Sequence, residues 1–468
     1  MIDVGSDWQL FIDRYLVADE RNACLKVHPP TLRETIWVPE RPWEENTSWF
    51  PNVMQDGNRY RMWYRAESSE QSDVGWDLTA YLESDDGIHW ERPNLGLIEF
   101  NGSRANNLVW TLPDTVGTNL CVFRDANPAA PADERYKAIA KAPKRGGIVG
   151  LVSADGIHWR PVQSEPIIPP PESDPMFDSP NIAFWDPWRR QYVAYTRGWI
   201  AAPPEALSPD YQYDRPQHAK TRTVRRATST DFRNWTALDY LDLDLAAQPR
   251  EQFYTNATIP YERARNVYFM FPMRYVHERN GPPEWSLPGL SDVSFLSSRD
   301  GIHWDRSFRD AWLRPGLDDD NWHERSMAIG FGLVQTGPKE LSLYLVDRFR
   351  TPRLRFVRAA LRLDGFGSVN APFAGGKITT PPLTFQGVAM EINYSTSIMG
   401  AVQVEIQDEA GNALPGYGLD DSATIYGDEL DRIVTWQGNG NVSAVAGRPV
   451  RLRFALTDAD LYAFRFQP

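Results

Sequence analysis

The sequence predicts an all-β fold, a five-bladed β-propeller followed by a C-terminal β-sandwich, on three observations. One phrase recurs: SDDGIHW from Ser84, SADGIHW from Ser153, the eroded STDFRNW from Ser229 and SRDGIHW from Ser298, at intervals of 69, 76 and 69 residues. The composition is aromatic-rich (12%, with 18 Trp) and punctuated by 32 Gly and 37 Pro between short apolar runs, the mark of many short strands. Beyond about residue 370 the repetition stops, and segments such as MEINYS, AVQVEIQD, RIVTWQG and PVRLRFAL alternate between apolar and polar residues, as half-buried strands do.

Each repeat reads as one radial sheet. The segments 51–65, 118–141, 180–197 and 255–274 share a plan: an Asn opens an apolar strand, a polar turn follows, and a second strand starts near an aromatic and ends in a base. A third strand then leads into the recurring phrase. The fifth unit, 330–348, keeps the two strands but lacks the Asn, and its phrase is the degenerate RLDGFGSV at 362–369. Within the phrase, Asp-Gly forms a tight turn because Gly accepts positive φ and Asp bonds its own backbone; Ser caps the turn and Trp anchors it. Asp86, Asp155, Asp231, Asp300 and Asp364 are therefore expected to be structural, as are His89, His158 and His303. The expected domains are an N-terminal segment 1–35, a propeller 36–369 and a sandwich 370–468. CLKVHPP, from Cys24, is the candidate strand that closes the ring by pairing in blade five.

The formal charge of −13 argues against a nucleic-acid partner, which needs clustered Lys and Arg. No run of 18 apolar residues spans a membrane, and MIDVGSDWQLFID has neither the basic nor the apolar region of a signal peptide, so a cytoplasmic location is expected. Cys24 and Cys121 form neither a disulfide framework nor zinc spacing. No metal and no cofactor are expected; a sugar, stacked on exposed indoles, is the expected partner, as an oligo- or polysaccharide.

In a propeller, the start of strand one and the end of strand two meet at the mouth of the axial channel. The first position holds Asn52, Asn119, Asn181 and Asn256; the second holds Arg65, Lys141, Arg197, Arg274 and Arg348. These bases are expected either to hold an anionic group of the substrate or to pair with acids of neighbouring blades. Carboxylates just before strand one are the catalytic candidates, in the order Asp178, Glu251, Asp114 and Glu44, with Glu45 and Glu324 in equivalent places. Asp56, Asp125 and Asp186 follow strand one and belong to its turn. Tyr254 and Trp49 are placed to contact a sugar, and the long insert after Arg274 could bring His277 or Trp285 over the pocket.

Five units, the S-x-D-G-x-x-W phrase and a β-sandwich after the propeller resemble the five-bladed propeller glycoside hydrolases, the family 32, 43 and 68 scaffold. A six-bladed sialidase-like propeller is disfavoured because its turn motif is one residue longer and five units are counted. The resemblance implies hydrolysis of a glycosidic bond between two carboxyl groups. It does not carry over the family 32 nucleophile, because WFPNV (49–53) has Phe50 at that position. Arg124-Asp125 echoes the family's Arg-Asp-Pro, but Ala126 replaces the Pro, and its Glu-Cys pair has no counterpart. A distinct family on the same scaffold is the expectation.

The function expected is thus an exo-acting glycoside hydrolase with paired carboxylates in the axial pocket, on an anionic glycan. Two alternatives stand beside it: a glycoside phosphorylase whose basic ring binds phosphate, and a non-catalytic carbohydrate-binding propeller.

Overall fold

A computed structural model describes residues 1–68, 77–111, 119–142, 146–174, 177–201, 220–245, 251–282 and 287–468. Asp114 and Trp285 lie outside the described residues. The fold is all-β: antiparallel strands joined by turns and short 3-10 segments, with no α-helix among the described residues.

Four-stranded antiparallel sheets follow one another along the chain. The first is Trp49–Asp56, Arg59–Glu67, Asp77–Ser84 and Leu108–Trp110; the second is Cys121–Arg124, Tyr136–Lys141, Ile148–Ser153 and Arg160–Pro161. The third is Ile182–Asp186, Gln191–Ala201, Lys220–Ser229 and Asp239–Tyr240. The fourth repeat is split into two hydrogen-bonded sheets: Ile259–Pro260, Tyr268–Met270, Leu296–Ser298 and Trp304–Asp305 form one, and Gln252–Phe253, Met273–Val276 and Leu290–Val293 the other. The fifth joins Ala328–Ile329, Glu340–Asp347, Arg355–Arg362 and Thr31–Trp37, with Val334–Gly337 also on Glu340–Asp347. First-strand residues of the repeats (Pro51 and Asn52, Cys121, Ile182, Ala257, Ile329) border one narrow channel. That is the radial plan of a β-propeller.

The closing strand is therefore Thr31–Trp37, antiparallel to Arg355–Arg362 with Trp37 opposite Phe356 and Thr31 opposite Ala360. The segment CLKV pairs instead with Gly367–Ala371. Charge explains the choice: buried Arg358 reaches Glu34 at 2.9 Å and Glu340 at 2.5 Å, a link that Cys24–Val27 has no acid to make.

Two sets of hydrogen bonds tie neighbouring sheets. In one, a tyrosine at a matched strand position donates to the turn of the preceding sheet: Tyr136 to Asp56, Tyr192 to Asp125 at 2.7 Å, Tyr268 to Asp186 at 2.6 Å, and Tyr60 to the Gln335 carbonyl at 2.6 Å. In the other, the glycine carbonyl of the recurring phrase accepts from the sheet before it: Gly87 from Tyr344 (2.7 Å), Gly156 from the Trp63 indole (2.8 Å) and Gly301 from Tyr195 (2.7 Å). Within each phrase the Ser hydroxyl accepts the N–H groups two and three residues on, and the Asp carboxylate accepts the next two. The expected structural role of these Asp and His residues follows from this geometry. The fifth, Asp364, is different: it has no Ser cap and instead binds Arg263 at 2.9 Å and the Tyr261 hydroxyl.

Two of the strand-opening asparagines join neighbouring sheets. Asn52 accepts the Val122 N–H, and Asn256 donates to the Tyr195 carbonyl at 3.3 Å. The fifth repeat lacks the Asn because its backbone touches the first sheet directly: Phe331 N–H donates to Pro51 and Val53 N–H to Phe331. A Cβ on Gly330 would stand 1.8 Å from the Pro51 oxygen, so only glycine fits there.

By contacts, the chain divides into Pro30–Pro260 with Tyr268–Ala360, and Met1–Pro29 with Tyr261–Val267 and Leu361–Pro468, rather than at residues 35 and 369. The second unit holds one eight-stranded sheet around its own apolar core, which includes Phe11, Trp436 and Phe454, together with a parallel pair, Ile2–Gly5 on Leu383–Phe385. MEINYS and AVQVEIQ are parts of a single 19-residue strand, Ala389–Gln407, which runs against Arg451–Gln467.

Two outcomes test the turn. Gly301→Ala places a Cβ 2.7 Å from the Tyr195 oxygen at φ +69°, whereas Gly57→Ala has φ +63° and open space. Both should lose about 1–2 kcal/mol to left-handed strain, and Gly301→Ala more; chemical unfolding midpoints measure the difference. Burial opposes ionisation of Asp231 and Asp300, but hydrogen bonds outweigh it and hold both near pKa 2. Their stabilisation is complete above the ordinary aspartate value of about 3.9 and is lost as pH falls toward 2, so Asp300→Asn should flatten the decline in melting temperature over that window.

Candidate functional site

Close to the channel lies a cavity of about 160 Å³, lined by residues from the starts and ends of strands in several sheets. Asp178, Tyr254, Trp49, Arg65 and Asn119 line it, as the sequence leads one to expect, together with Glu67, Arg325 and Arg350.

Asp178 stands on the turn before Ile182–Asp186. Asn181 fixes that turn, donating to the Phe177 and Ser179 carbonyls at 3.1 and 3.0 Å while its own oxygen accepts the Arg197 N–H. Buried Arg197 donates to Ser179 Oγ and the Tyr254 carbonyl, at 3.0 and 3.1 Å, and holds its guanidinium 3.9 Å from Asp178. Lys141 Nζ is 4.0 Å from the other carboxylate oxygen. The Asp178 side chain keeps 52% of its surface open, directed at the cavity it lines. Surrounding protein would raise its pKa, but Arg197, Lys141, Arg65 and Arg325 outweigh that and hold it below the usual aspartate range.

Glu67, at the end of Arg59–Glu67, behaves oppositely. Arg65 lies between two carboxylates, Glu67 and Asp77, with Asp77 2.9 Å from its Nε. One guanidinium does not neutralise two acids in a confined space. Burial first, then the Asp77 charge, raise the Glu67 pKa above the ordinary range despite Arg65 and Arg350. One cavity thus holds two carboxyls whose pKa values are pushed apart, Asp178 downward and Glu67 upward, the arrangement that acid–base chemistry uses.

Arg325 and Arg350 are held by buried Glu324, which takes Arg325 in a fork and Arg350 at 2.6 Å. Trp49 stacks on Phe349 with centroids 3.9 Å apart and on Phe50 at 4.2 Å, forming an apolar wall. Several lining residues have positive φ: Phe50 (+55°), Asn119 (+62°), Arg325 (+53°), Arg350 (+64°) and Ser179 (+153°). Each costs of order 1–3 kcal/mol, and such strain gathers where function demands a fixed geometry. The buried Asn119 Oδ1 has no hydrogen-bond partner. Among the described residues no group of three or more His, Cys, Asp or Glu could hold a metal ion.

Other expected site residues are engaged elsewhere. Glu44 is buried in the first sheet, accepting from Tyr64, Arg92 (2.7 Å) and the Glu40 N–H (3.1 Å), which leaves it no free face. Glu251 is held by Arg306 at 2.5 Å, with Arg274 at 4.0 Å, and does not line the cavity. Arg274 forks onto Asp292 and lines a separate groove; Arg348 binds Asp318 at 2.8 Å. Asn181 and Asn256 donate their amides to backbone, the Asn52 oxygen accepts a backbone N–H, and buried His277 lies beside the Tyr275 hydroxyl at 3.1 Å. Arg274 and Arg348 pair with acids of their own repeat and not, as the sequence left as the alternative, with acids of a neighbouring blade. Glu67, Arg325 and Arg350 went unpredicted; their signal was proximity to strand ends, Glu67 being two residues past Arg65 and Arg350 two past Arg348.

No protein-family profile matches the chain. An uncharacterized protein of Mycobacterium tuberculosis (strain CDC 1551 / Oshkosh) is 31% identical over 119 residues, 24% of this chain and 33% of the relative. A second uncharacterized protein of the same species is 37% identical over 62 residues, 12% and 19% respectively. The matches thus span a third or less of these curated relatives. Among solved structures, an N-acetylgalactosamine deacetylase from F. plautii in complex with blood group B trisaccharide aligns at TM-score 0.45 and 13% identity, over 73% of this chain and 96% of its own. A fructofuranosidase from Schwanniomyces occidentalis complexed with fructosylnystose aligns at TM-score 0.44 and 11% identity, over 93% and 96%. A glycoside hydrolase aligns at 0.45 and 13%, over 72% and 92%.

The opposed carboxyls can be measured directly. Carboxyl-carbon NMR should show Glu67 titrating above the ordinary glutamate value of about 4.3 and Asp178 below about 3.9. Asp77→Asn should bring Glu67 down and leave Asp178 where it was.

Proposed function

We propose that the chain is an exo-acting glycoside hydrolase on a five-bladed propeller, with a C-terminal β-sandwich, and that it acts on an anionic saccharide. The observation that carries the reading is the meeting, in one small cavity walled by Arg65, Arg325 and Arg350, of two carboxyls shifted in opposite directions, Asp178 downward and Glu67 upward. The sheet count, the shared channel and the closing strand Thr31–Trp37 support five blades. Glu67 gives its proton to the leaving oxygen. Asp178 supplies negative charge beside the carbon that becomes positive as the glycosidic bond breaks. Arg325 and Arg350, pre-set by Glu324, suit a carboxylate or sulfate on the sugar. A cavity of this size admits a chain end rather than a chain middle. The same arginines fit inorganic phosphate, which makes phosphorolysis the second reading.

A panel of aryl glycosides and uronic-acid oligosaccharides, assayed with and without phosphate, tests this. The wild type should hydrolyse a member without phosphate; acceleration by phosphate would favour phosphorolysis. Asp178→Asn should lose about 10²–10⁴-fold in kcat. Glu67→Gln should lose as much on a poor leaving group but little on a dinitrophenyl glycoside, which leaves without a proton. Unchanged rates in both variants would remove the assignment, and a folded wild type that binds but cleaves no member would favour the carbohydrate-binding alternative.

A further inference from the structure

Most of the buried tyrosines give their hydroxyl proton to an acceptor in the protein. Tyr64, Tyr136, Tyr192, Tyr261 and Tyr268 each donate to a carboxylate, of Glu44, Asp56, Asp125, Asp364 and Asp186. Tyr195, Tyr344 and Tyr60 each donate to a backbone carbonyl. Tyr254 does neither. Its oxygen accepts from Arg325 Nη1 at 2.9 Å, and no acceptor among the described residues takes its proton. A buried O–H without an acceptor is costly, and the cost disappears when the proton leaves.

The surroundings favour its loss. Three guanidinium carbons lie over the Tyr254 ring: Arg197 at 4.3 Å, Arg222 at 4.9 Å and Arg325 at 5.5 Å. Two of the three have an acid: Arg325 has Glu324, and Arg197 has Asp178. Arg222 has none among the described residues; its Nη1 donates to Gln252 Oε1 at 2.5 Å, and burial first, then Arg197, depress its own pKa to about 10. The pocket therefore carries a buried positive charge with no carboxylate paired to it among the described residues, beside a phenol oxygen that already accepts a charged hydrogen bond. The other groups facing Tyr254 are the Tyr275 ring, centroids 5.8 Å away, and the Trp49 ring at 6.2 Å, neither of which supplies charge. Burial alone would raise the phenol; Arg325, Arg197 and Arg222 outweigh both that and the Asp178 charge and bring it below the usual tyrosine value.

We infer that Tyr254 stands in the cavity as a phenolate and is the nucleophile of the reaction. This rests on the glycosidase reading above and deepens it. Tyrosine oxygen is a competent covalent nucleophile in glycosyl transfer. In the first step Tyr254 Oη bonds to the anomeric carbon as the bond from that carbon to the leaving oxygen breaks; Glu67 protonates that oxygen and becomes a carboxylate. In the second step a water oxygen bonds to the anomeric carbon, Glu67 takes back a proton from it, and the carbon–Tyr254 bond breaks to return the phenolate. Asp178 stays ionised throughout. Two displacements at one carbon retain its configuration.

Two measurements on the full chain decide the matter. Absorbance titration at the phenolate band should show, in the wild type, one tyrosine ionising below about 10 that is missing in Tyr254→Phe. Arg222→Gln, which keeps Tyr254 and removes the unbalanced charge, should move that transition upward. With the hydrolysed panel member, proton NMR of the first-formed sugar should show retention, and Tyr254→Phe should lose at least about 10³-fold in kcat while its melting temperature stays within a few degrees. No early transition lost in Tyr254→Phe, an inverted product, or a Tyr254→Phe rate within tenfold of wild type would each overturn the inference. The glycosidase reading fails separately: a wild type that cleaves no panel member ends the nucleophile's role even where the phenolate transition is present, whereas cleavage with inversion removes Tyr254 and keeps Asp178 and Glu67.

Discussion

A tyrosine hydroxyl reaching back to the turn of the preceding sheet is the contact on which the repeated part of the molecule depends. Tyr136, Tyr192 and Tyr268 repeat it on Asp56, Asp125 and Asp186, and Tyr60 repeats it on the Gln335 carbonyl across the point where the chain closes. Such bonds fix the spacing of neighbouring sheets, because a buried carboxylate and a buried phenol each need the other. The recurring glycine turn adds the opposite contact, its carbonyl receiving an aromatic donor from the sheet before. Where the third repeat has Phe232 in place of glycine, the ring packs against Phe123 and Tyr192 and the turn keeps its left-handed φ of +64°.

Once the sheets are fixed, their strand ends are fixed, and with them the charges at the cavity. Most bases at the ends of second strands find an acid within or beside their own sheet: Arg274 has Asp292 and Arg348 has Asp318. The cavity is where that accounting does not close. Arg65 is shared by Glu67 and Asp77, Arg222 has no acid among the described residues, and Glu324 serves both Arg325 and Arg350. Incomplete pairing raises the pKa of one carboxyl and lowers that of another carboxyl and of one phenol. The strained backbone at Asn119, Arg325 and Arg350 belongs to the same picture, since it holds these groups where relaxed φ values would not.

Much of this was legible in the residues. The phrase S-x-D-G-x-x-W marked each turn and its structural Asp, and the matched aromatics Tyr60, Tyr136 and Tyr192 marked the second strands. Asp178, Tyr254, Trp49, Arg65 and Asn119 were placed at the cavity by their position relative to strand one and strand two. Glu251, Glu44, Arg274 and Arg348 satisfied the same positional rule and went elsewhere, because position along a strand does not say which ion pair a side chain completes. Thr31–Trp37 was missed as the closing strand because its value lies in Glu34, whose partner Arg358 is 324 residues away.

By itself, the sequence determined the β class, the repeat and its turn chemistry, since these depend on contacts within a few residues: a Ser capping the next two amides, an Asp holding the two after it. Only the tertiary structure decided which charges remain unbalanced. Glu67 and Asp178 differ in proton affinity, and Tyr254 differs from every other buried tyrosine described, because of the arginines brought to them from distant strands. Electrostatic energy at a buried site is a sum over neighbours in space, and that sum exists only once the sheets have closed.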